Sequence, residues 1–107
     1  MRRLRVCPNK RYLSWDNGEP FWYMGDTAWE LFHRLTREEV QEYLDAREDQ
    51  GFNVIQAVAL GEYDGLTEAN AYGRLPFILD SEGKPIVKPD DTGESYWKHV
   101  DWCIQEM

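Results

Sequence analysis

The sequence has little cysteine, and its cysteines form no recognisable metal or redox motif. Cys7 and Cys103 are the only two in 107 residues, and they lie far apart along the chain. Structural zinc sites and thiol redox sites need closely spaced pairs, so two free thiols are the favoured interpretation and a disulfide is the alternative. His33 and His99 also lack the spacing of metal ligands, and we expect a surface or hydrogen-bonded structural role for each. The sequence therefore predicts no metal and no cofactor.

Positive charge is also scarce. Twelve Lys and Arg face twenty Asp and Glu, which gives a formal charge of −8 at pH 7. An acidic surface repels nucleic acid and anionic membranes, so neither is an expected partner. Aromatic residues, by contrast, make up 14% of the chain. Rings beside carboxylates suit a neutral carbohydrate ligand; the alternative is that the rings form the core and the acids a hydrated surface.

Long hydrophobic runs are absent as well. No segment approaches the roughly 20 apolar residues that a membrane-spanning helix needs. The start of the chain, Met1–Val6, is basic like a signal peptide, but Pro8–Arg11 stands where such a peptide has its apolar segment. A cytoplasmic location is the prediction, unless the true N-terminus of a longer gene is missing.

Residues 1–20 predict a β-hairpin. Leu4–Val6 and Arg11–Trp15 are strand-like, and Asp16–Gly18 is a strong reverse-turn signal, because Asn and Gly tolerate positive φ. The hairpin leads into an apolar run, Phe21–Met24, which is typical of a strand and ends at a glycine.

Two capping-box spacings follow this apolar run. Thr27 and Glu30 predict a short helix or single turn, and Thr36 with Glu39 predicts a longer helix over Thr36–Gln50. Apolar side chains at helical intervals support the longer helix, and a glycine ends it as a left-handed cap.

The segment Asn53–Leu60 is nearly continuous apolar sequence, which is typical of a strand buried on both faces in a parallel sheet. With the strand Phe21–Met24 and the helix Thr36–Gln50, it predicts a β-α-β unit over residues 21–60. Gln56 would then need a buried polar partner. The predicted fold class is α/β.

The remaining residues predict a long loop and a last helix. Residues 61–93 carry several Gly and Pro without a helical period, and a loop of that length is usually functional or disordered. Within it, Phe77–Leu79 and Ile86–Val87 are candidates for a small hairpin. A helix over residues 94–107 follows, with a buried stripe of Tyr96, Val100, Cys103, Ile104 and Met107. No helix-ending residue closes it, so a single partial domain with a truncated last helix is expected.

The residues that follow the two parallel strands are candidates for a binding site. Parallel neighbours end on the same side of a sheet, where ligands of α/β proteins bind. One rim should therefore carry Asp26, Thr27, Trp29, Glu62, Tyr63 and Asp64. Adjacent strands lie roughly 4.8 Å apart, so Asp26 and Glu62 would approach the roughly 5 Å carboxyl separation of a retaining glycosidase, although substrate contact is the expected role. The alternatives are N-capping by Asp26 and burial of Trp29 in the core.

Several motifs resemble the apiosidase-like glycoside hydrolases, a family long catalogued as a domain of unknown function on a (β/α)8 barrel. They cover nearly all of the chain: Pro20–Phe32, Leu35–Glu39 with Tyr43, Leu44 and Arg47, Gln50–Gln56, Asn70–Gly73, and Tyr96 with His99–Trp102. The resemblance implies the N-terminal fragment of a (β/α)8 (TIM) barrel, since a closed barrel needs on the order of 250 residues. It places an acid/base and a nucleophilic carboxylate at the ends of later strands. It also implies subsites at Asn70 and Tyr72, with ordinary loop packing as the alternative.

The sequence is compatible with two functions. One is the N-terminal part of a glycoside hydrolase that acts on plant-type glycans by two-carboxylate hydrolysis, with this chain inactive alone. Its substrate-binding residues would be Asp26, Trp29, Glu62, Asp64, Asn70 and Tyr72. The other is a non-catalytic α/β module that binds carbohydrate or assembles. Open sheet edges predict self-association or pairing with the missing part of the barrel.

Overall fold

The computed structural model describes residues 2–107; Met1, the first residue of the predicted hairpin segment, lies outside them. The described part is mixed α/β, as predicted. Its elements in chain order are β1 (Leu4–Val6), β2 (Leu13–Trp15), β3 (Gly25–Ala28), α1 (Leu31–Arg34), α2 (Arg37–Asp49), β4 (Val54–Ala57), β5 (Phe77–Leu79), β6 (Pro85–Pro89) and α3 (Tyr96–Glu106). These strands pair two by two into small sheets. None of the helices in residues 2–107 is long and apolar enough to cross a membrane.

Strands β1 and β2 form the predicted hairpin. They pair antiparallel, with Leu4 opposite Trp15. The turn after β2 forms as well: Gly18 N–H donates to the Trp15 carbonyl at 2.9 Å, with a Gly18 φ of +89°. The chain then folds back, and Phe21 N–H donates to the Leu13 carbonyl at 2.8 Å. Phe21 therefore belongs to the hairpin and not to the next strand.

The first parallel strand begins four residues later than predicted. The prediction of a strand over Phe21–Met24 is wrong, because β3 spans Gly25–Ala28. Asn53 explains the shift. Its side-chain amide donates to the Trp22 carbonyl at 2.6 Å, and its Oδ1 accepts from Met24 N–H at 2.9 Å. The asparagine side chain thus takes the backbone groups that a strand partner would otherwise pair.

Strands β3 and β4 pair in parallel, with Asp26 opposite Ile55 and Thr27 opposite Gln56. The predicted strand Asn53–Leu60 is shortened to four residues, and the expected burial on both faces is wrong. Ile55 packs against the helical core, whereas Gln56 is exposed and needs no buried partner. In the part of the chain that the structure describes, helices cover only one face of this sheet.

The capping box predicted for Thr27 and Glu30 is wrong. Thr27 lies in β3, where its β-branched side chain suits the pleated backbone. Glu30 occupies the N-cap position of α1 without a side-chain cap hydrogen bond, and its carboxylate pairs with Arg34 instead. The short helix still contributes to the core, because Leu31 and Phe32 are buried.

Helix α2 forms as predicted, to within one residue at each end. Thr36 Oγ1 accepts from Glu39 N–H at 3.3 Å, and the Glu39 carboxylate accepts from Thr36 N–H at 2.8 Å, so both halves of the capping box are present. Gly51, with a φ of +86°, provides the left-handed end. Val40 is fully buried, which places the apolar stripe of α2 on the core.

The core lies between the three helices and one face of the β3–β4 sheet. Its buried cluster consists of Leu31, Phe32, Val40, Tyr96, Val100 and Cys103. Helix α3 supplies three of these and begins after the N-cap Ser95, whose Oγ accepts from Lys98 N–H at 3.3 Å. The prediction that Ile104 and Met107 belong to the buried stripe is wrong, since they are 56% and 49% exposed.

The cysteines and histidines are buried. Cys7 and Cys103 are both free, which confirms the favoured interpretation. His33 and His99 are both buried. The surface role predicted for them is therefore wrong, and a structural role remains. His99 Nε2 lies 3.7 Å from Cys103 Sγ in the core.

The segment 61–93 contains the candidate hairpin, formed by the antiparallel strands β5 and β6. Asp80 Oδ1 closes its turn by accepting from Glu82 N–H at 2.8 Å and from Lys84 N–H at 2.9 Å. The rest of the segment forms turns and irregular loop.

The described chain is elongated. Its Cα radius of gyration is 17.0 Å, whereas a compact domain of 100 residues has about 13 Å. A sheet of two strands is marginal by itself, so the helical core must supply most of the stability. Large apolar side chains remain exposed far from that core, including Trp22 and Val87.

Candidate functional site at the ends of the parallel strands

The β3–β4 sheet has a covered face and an open face. Successive side chains of a strand point to opposite faces. Ala28 and Ile55 pack against the helical core, and Asp26 lies on the same side. Thr27 and Gln56 are direct neighbours on the opposite side, where both are exposed. The open face is therefore polar.

Asp26 connects β3 to α2. Its Oδ2 accepts from Tyr43 Oη at 2.7 Å and forms an ion pair with Arg47 Nε. The Arg47 guanidinium also lies over the Tyr43 ring, 4.7 Å from its centroid. The prediction that Asp26 follows the end of its strand is wrong, because it is the second residue of β3. The alternative of helix capping is also wrong, since Glu30 holds the N-cap position.

The partners of Asp26 keep its carboxyl group charged. The hydrogen bond from Arg47, followed by that from Tyr43, holds the pKa of Asp26 below its ordinary value. Contact with a substrate would require the carboxylate to exchange these partners for a sugar hydroxyl. The substrate role of Asp26 stays a prediction that its observed contacts do not favour.

This ion pair should make the free energy of unfolding depend on pH in the acid range. Because folding lowers the pKa of Asp26, its stabilisation is complete above the unfolded value of roughly 4 and is lost as the pH falls through the folded value. Asp26→Asn should be less stable than wild type at pH 7, and that difference should shrink at pH 3. Urea unfolding at both pH values measures the effect, with Asp49→Asn as the control, since Asp49 is an exposed carboxylate on α2, the helix that carries Tyr43 and Arg47. An equal difference at both pH values would contradict the ion pair.

A cavity of about 200 Å³ opens beyond the carboxyl ends of β3 and β4. It is lined by the segments after the two strands: Trp29, Glu30, Val58, Glu62 and Tyr63. Trp29 is 61% exposed and Tyr63 is 98% exposed, so the alternative that Trp29 belongs to the core is wrong. The structure brings Trp29 and Glu62 together on one rim, as the parallel topology predicts.

A tight turn fixes Glu62 and Tyr63 at this edge. Gly65 N–H donates to the Glu62 carbonyl at 3.4 Å. Gly61 and Gly65 approach so closely that a methyl group on Gly65 would overlap the Gly61 carbonyl oxygen. Tyr63 has a φ of +60°, a conformation that costs energy in a residue other than glycine and recurs at functional sites. Asp64 belongs to the same turn but does not line the cavity.

Asn70 and Tyr72 do not line this cavity either, and the oxygens of their side chains bind the protein itself. Asn70 Oδ1 accepts from Tyr72 N–H and Arg74 N–H, both at 3.0 Å. Tyr72 Oη accepts from Arg37 N–H at the start of α2, at 2.7 Å, and its ring meets His99 edge to face at 5.1 Å. These contacts are those of loop packing, and the subsite role of both residues stays a prediction.

The sequence placed Tyr63 on the rim, but Tyr63 was not among the predicted substrate-binding residues. Its signal was available, since it is the single aromatic between two acids directly after a predicted strand. Its exposure and positive φ, however, are visible only in the folded turn. Among residues 2–107 no three or more His, Cys, Asp or Glu side chains gather into a possible metal site.

Comparison with known families gives the class of this protein. A family model described as "Apiosidase-like, catalytic domain" matches residues 7–107. The chain belongs to the apiosidase-like family. The resemblance seen in the sequence motifs is thereby confirmed. The apiosidase-like chain is a glycoside hydrolase-like domain.

Two solved structures that are similar to this apiosidase-like chain are described as glycoside hydrolases. One is described as a glycoside hydrolase family 5 from Bacteroides vulgatus ATCC 8482; it is 31% identical with a TM-score of 0.75, over 96% of this chain and 21% of that one. Another, described as "Glycoside hydrolase", is 33% identical with a TM-score of 0.77, over 96% and 22%. These neighbours are TIM-barrel proteins, and the chain spans about a fifth of their length. A search of curated proteins found no match.

Proposed function

We propose that this chain forms the N-terminal part of a (β/α)8 barrel that hydrolyses a plant-type glycan through two carboxylates, with its own rim binding the sugar. The observation that carries the proposal is the cavity at the carboxyl ends of a parallel strand pair, where Trp29 and Tyr63 are exposed beside Glu62. In barrel enzymes this end of the strands bears the active site.

The open face of the β3–β4 sheet supports the barrel. In a (β/α)8 barrel, helices cover the outside of the sheet and side chains of other strands fill the inside. Ala28 and Ile55 face the helices, which corresponds to the outside. Thr27 and Gln56 are exposed on the other side, which corresponds to an interior that further strands would fill.

The cavity is suited to hold a sugar. An exposed indole offers a flat apolar surface to the C–H face of a pyranose ring, and Trp29 provides one. The Glu62 carboxylate accepts hydrogen bonds from hydroxyl groups. Asp64, Asn70 and Tyr72, the other predicted substrate-binding residues, do not line this cavity.

The catalytic pair is assigned to other parts of the barrel. Two-carboxylate hydrolysis needs one group as acid and a second as nucleophile or base. Glu62 is one carboxylate on this rim, but Asp26, the other group considered from sequence, is engaged with Tyr43 and Arg47 on the helix side. A pair formed by Asp26 and Glu62 therefore lacks support.

The isolated chain should bind sugar but not hydrolyse it. We expect no nitrophenol release from aryl glycosides, together with weak binding of methyl glycosides, seen in NMR as shifts of the Trp29 indole N–H. Trp29→Ala, followed through the backbone amides of Glu62 and Tyr63 in the same cavity, should abolish the binding, whereas Trp22→Ala, which removes an indole 77% exposed elsewhere, should leave it unchanged. If the wild-type chain hydrolysed an aryl glycoside and Glu62→Gln abolished that activity, a catalytic carboxylate would lie in this chain. Absence of any sugar-dependent shift would contradict the binding role.

A second candidate is a non-catalytic module that assembles. It is favoured by the elongated shape and by open strand edges, which invite pairing with other strands. A stable monomer in sedimentation of the same sample would count against assembly.

A further inference from the structure

A second cavity lies apart from the strand ends, where the starts of α2 and α3 meet. Its volume is about 340 Å³, which falls within the usual range of roughly 300–1,000 Å³ for small-ligand sites. It is lined by Arg37, Tyr72, Arg74, Glu94, Ser95 and His99. Two arginines at one cavity stand out on a chain whose formal charge is −8.

Arg37 is held in place by aromatic rings. Its guanidinium carbon lies 5.1 Å from the centroid of Trp102 and 6.0 Å from that of Tyr72. The backbone N–H of Arg37 donates to Tyr72 Oη, which fixes the start of the side chain as well. An arginine held in this way loses little conformational freedom on binding a ligand.

Of the two neighbouring donors Nε and Nη2 of Arg37, only Nη2 has a partner within residues 2–107. Nη2 lies 3.4 Å from Glu94 Oε2, but the buried Nε has no hydrogen-bond partner among the described residues. Arginine binds carboxylate and phosphate groups most strongly through two parallel N–H···O bonds. Nε is covered in the unliganded chain, so a ligand with two oxygens would take Nε and Nη2 together after a small shift of the neighbouring side chains, and would then satisfy the unpaired donor.

The start of α3 adds positive potential to the same cavity, and Arg74 lies beside it with its charge balanced by Asp90. Arg74 Nη2 is anchored by Asp90 Oδ2 at 3.1 Å and by the Thr92 carbonyl at 2.9 Å. Ser95, which is 1% exposed, caps the 11-residue helix α3, and the partial positive charge of a helix start favours anions. His99 adds no charge, because burial and then the charge of Arg37 lower its pKa.

Glu94 is the obvious competitor for Arg37. Its side chain is 82% exposed, and ion pairs of exposed carboxylates contribute little. An external ligand can therefore displace it. Its position also indicates that Nη2 is directed where a carboxylate can reach it.

We propose that this cavity binds a small oxyanion, either a carboxylate or a phosphate group, through the Nε and Nη2 atoms of Arg37. The site is separate from the Trp29 cavity, and the inference goes beyond the proposed hydrolase function. A carboxylate would come from an acidic sugar, whereas a phosphate would come from a free or esterified phosphate. The two sources are distinguished by the probes used.

The test is an NMR titration of the labelled full chain, observing the Arg37 Nε–H signal at constant ionic strength. The probes are sodium glucuronate, inorganic phosphate and, as a neutral counterpart, methyl glucoside. We expect a saturable shift with glucuronate or phosphate and none with methyl glucoside. Glucuronate alone would indicate an acidic sugar, and phosphate alone a phosphate ligand.

Three variants make the result specific. Arg37→Lys keeps the charge but loses the paired N–H edge, and should weaken binding at least about tenfold, observed through neighbouring backbone amides. Glu94→Gln removes the competitor and should tighten binding about two- to fivefold. Arg34→Gln, an exposed arginine outside this cavity, should change nothing. Absence of a saturable shift, an equal response to methyl glucoside, or no gain in Glu94→Gln would overturn the proposal.

Discussion

Leu31→Ala is expected to lower the free energy of unfolding by about 2–5 kcal/mol, the usual range for a buried leucine. Leu31 is 2% exposed and belongs to the cluster that joins α1 to α2 and α3. A small domain has about 5–15 kcal/mol in total, and this core has few other members to compensate. The variant should therefore be largely or partly unfolded under conditions in which the wild type is folded.

Urea unfolding followed by far-UV circular dichroism measures this loss. The control is Ile104→Ala, a similar truncation at a side chain that is 56% exposed on α3, with an expected change within about 0.5 kcal/mol. If the two variants were equally stable, α1 would not be part of the core described above.

Helix α2 was predictable from sequence because its signals are local. The capping box of Thr36 and Glu39 and the left-handed Gly51 lie within a few residues of the ends that they set. The stripe through Val40 follows the helical period. Each of these signals acts through neighbouring backbone and needs no knowledge of the rest of the fold.

The position of strand β3 was predicted wrongly, because a residue distant in sequence sets where the strand begins. Asn53 binds the backbone of Trp22 and Met24, and no pattern within residues 21–24 reveals that contact. Within that run Phe21 packs with the hairpin, since its ring meets Trp15 edge to face at 5.0 Å, whereas Trp22, Tyr23 and Met24 are exposed.

The same shift explains what could be predicted of the site. Trp29 and Glu62 follow their strands in either placement, so parallel pairing alone was enough to bring them together. Asp26 moved from beyond the strand into it, and alternation of side chains then turned it towards Tyr43 and Arg47. The Arg37 cavity was not predicted from the sequence, because its residues come from segments far apart in the chain.

Gly65→Ala should disrupt the turn that carries Glu62 and Tyr63. A methyl group on Gly65 would overlap the Gly61 carbonyl oxygen and lie 2.7 Å from the Gly61 carbonyl carbon. These are backbone atoms, which cannot rotate away as a flexible side chain would. Overpacking of this kind costs about 1–3 kcal/mol and sometimes more, and relief requires the segment 61–65 to move.

The matched control is Gly61→Ala on the other side of the same contact. Its methyl group would lie 3.6 Å from Gly65 Cα and 3.9 Å from His33 Cγ, which is ordinary packing distance, so its stability should stay within about 1 kcal/mol of wild type. Urea unfolding compares the two variants, and amide exchange at Glu62 and Tyr63 reports the turn. Because the turn forms one wall of the cavity, Gly65→Ala should also weaken sugar-dependent shifts at Trp29. If both alanine variants kept wild-type stability and exchange, the close approach of these glycines would not be what fixes the rim.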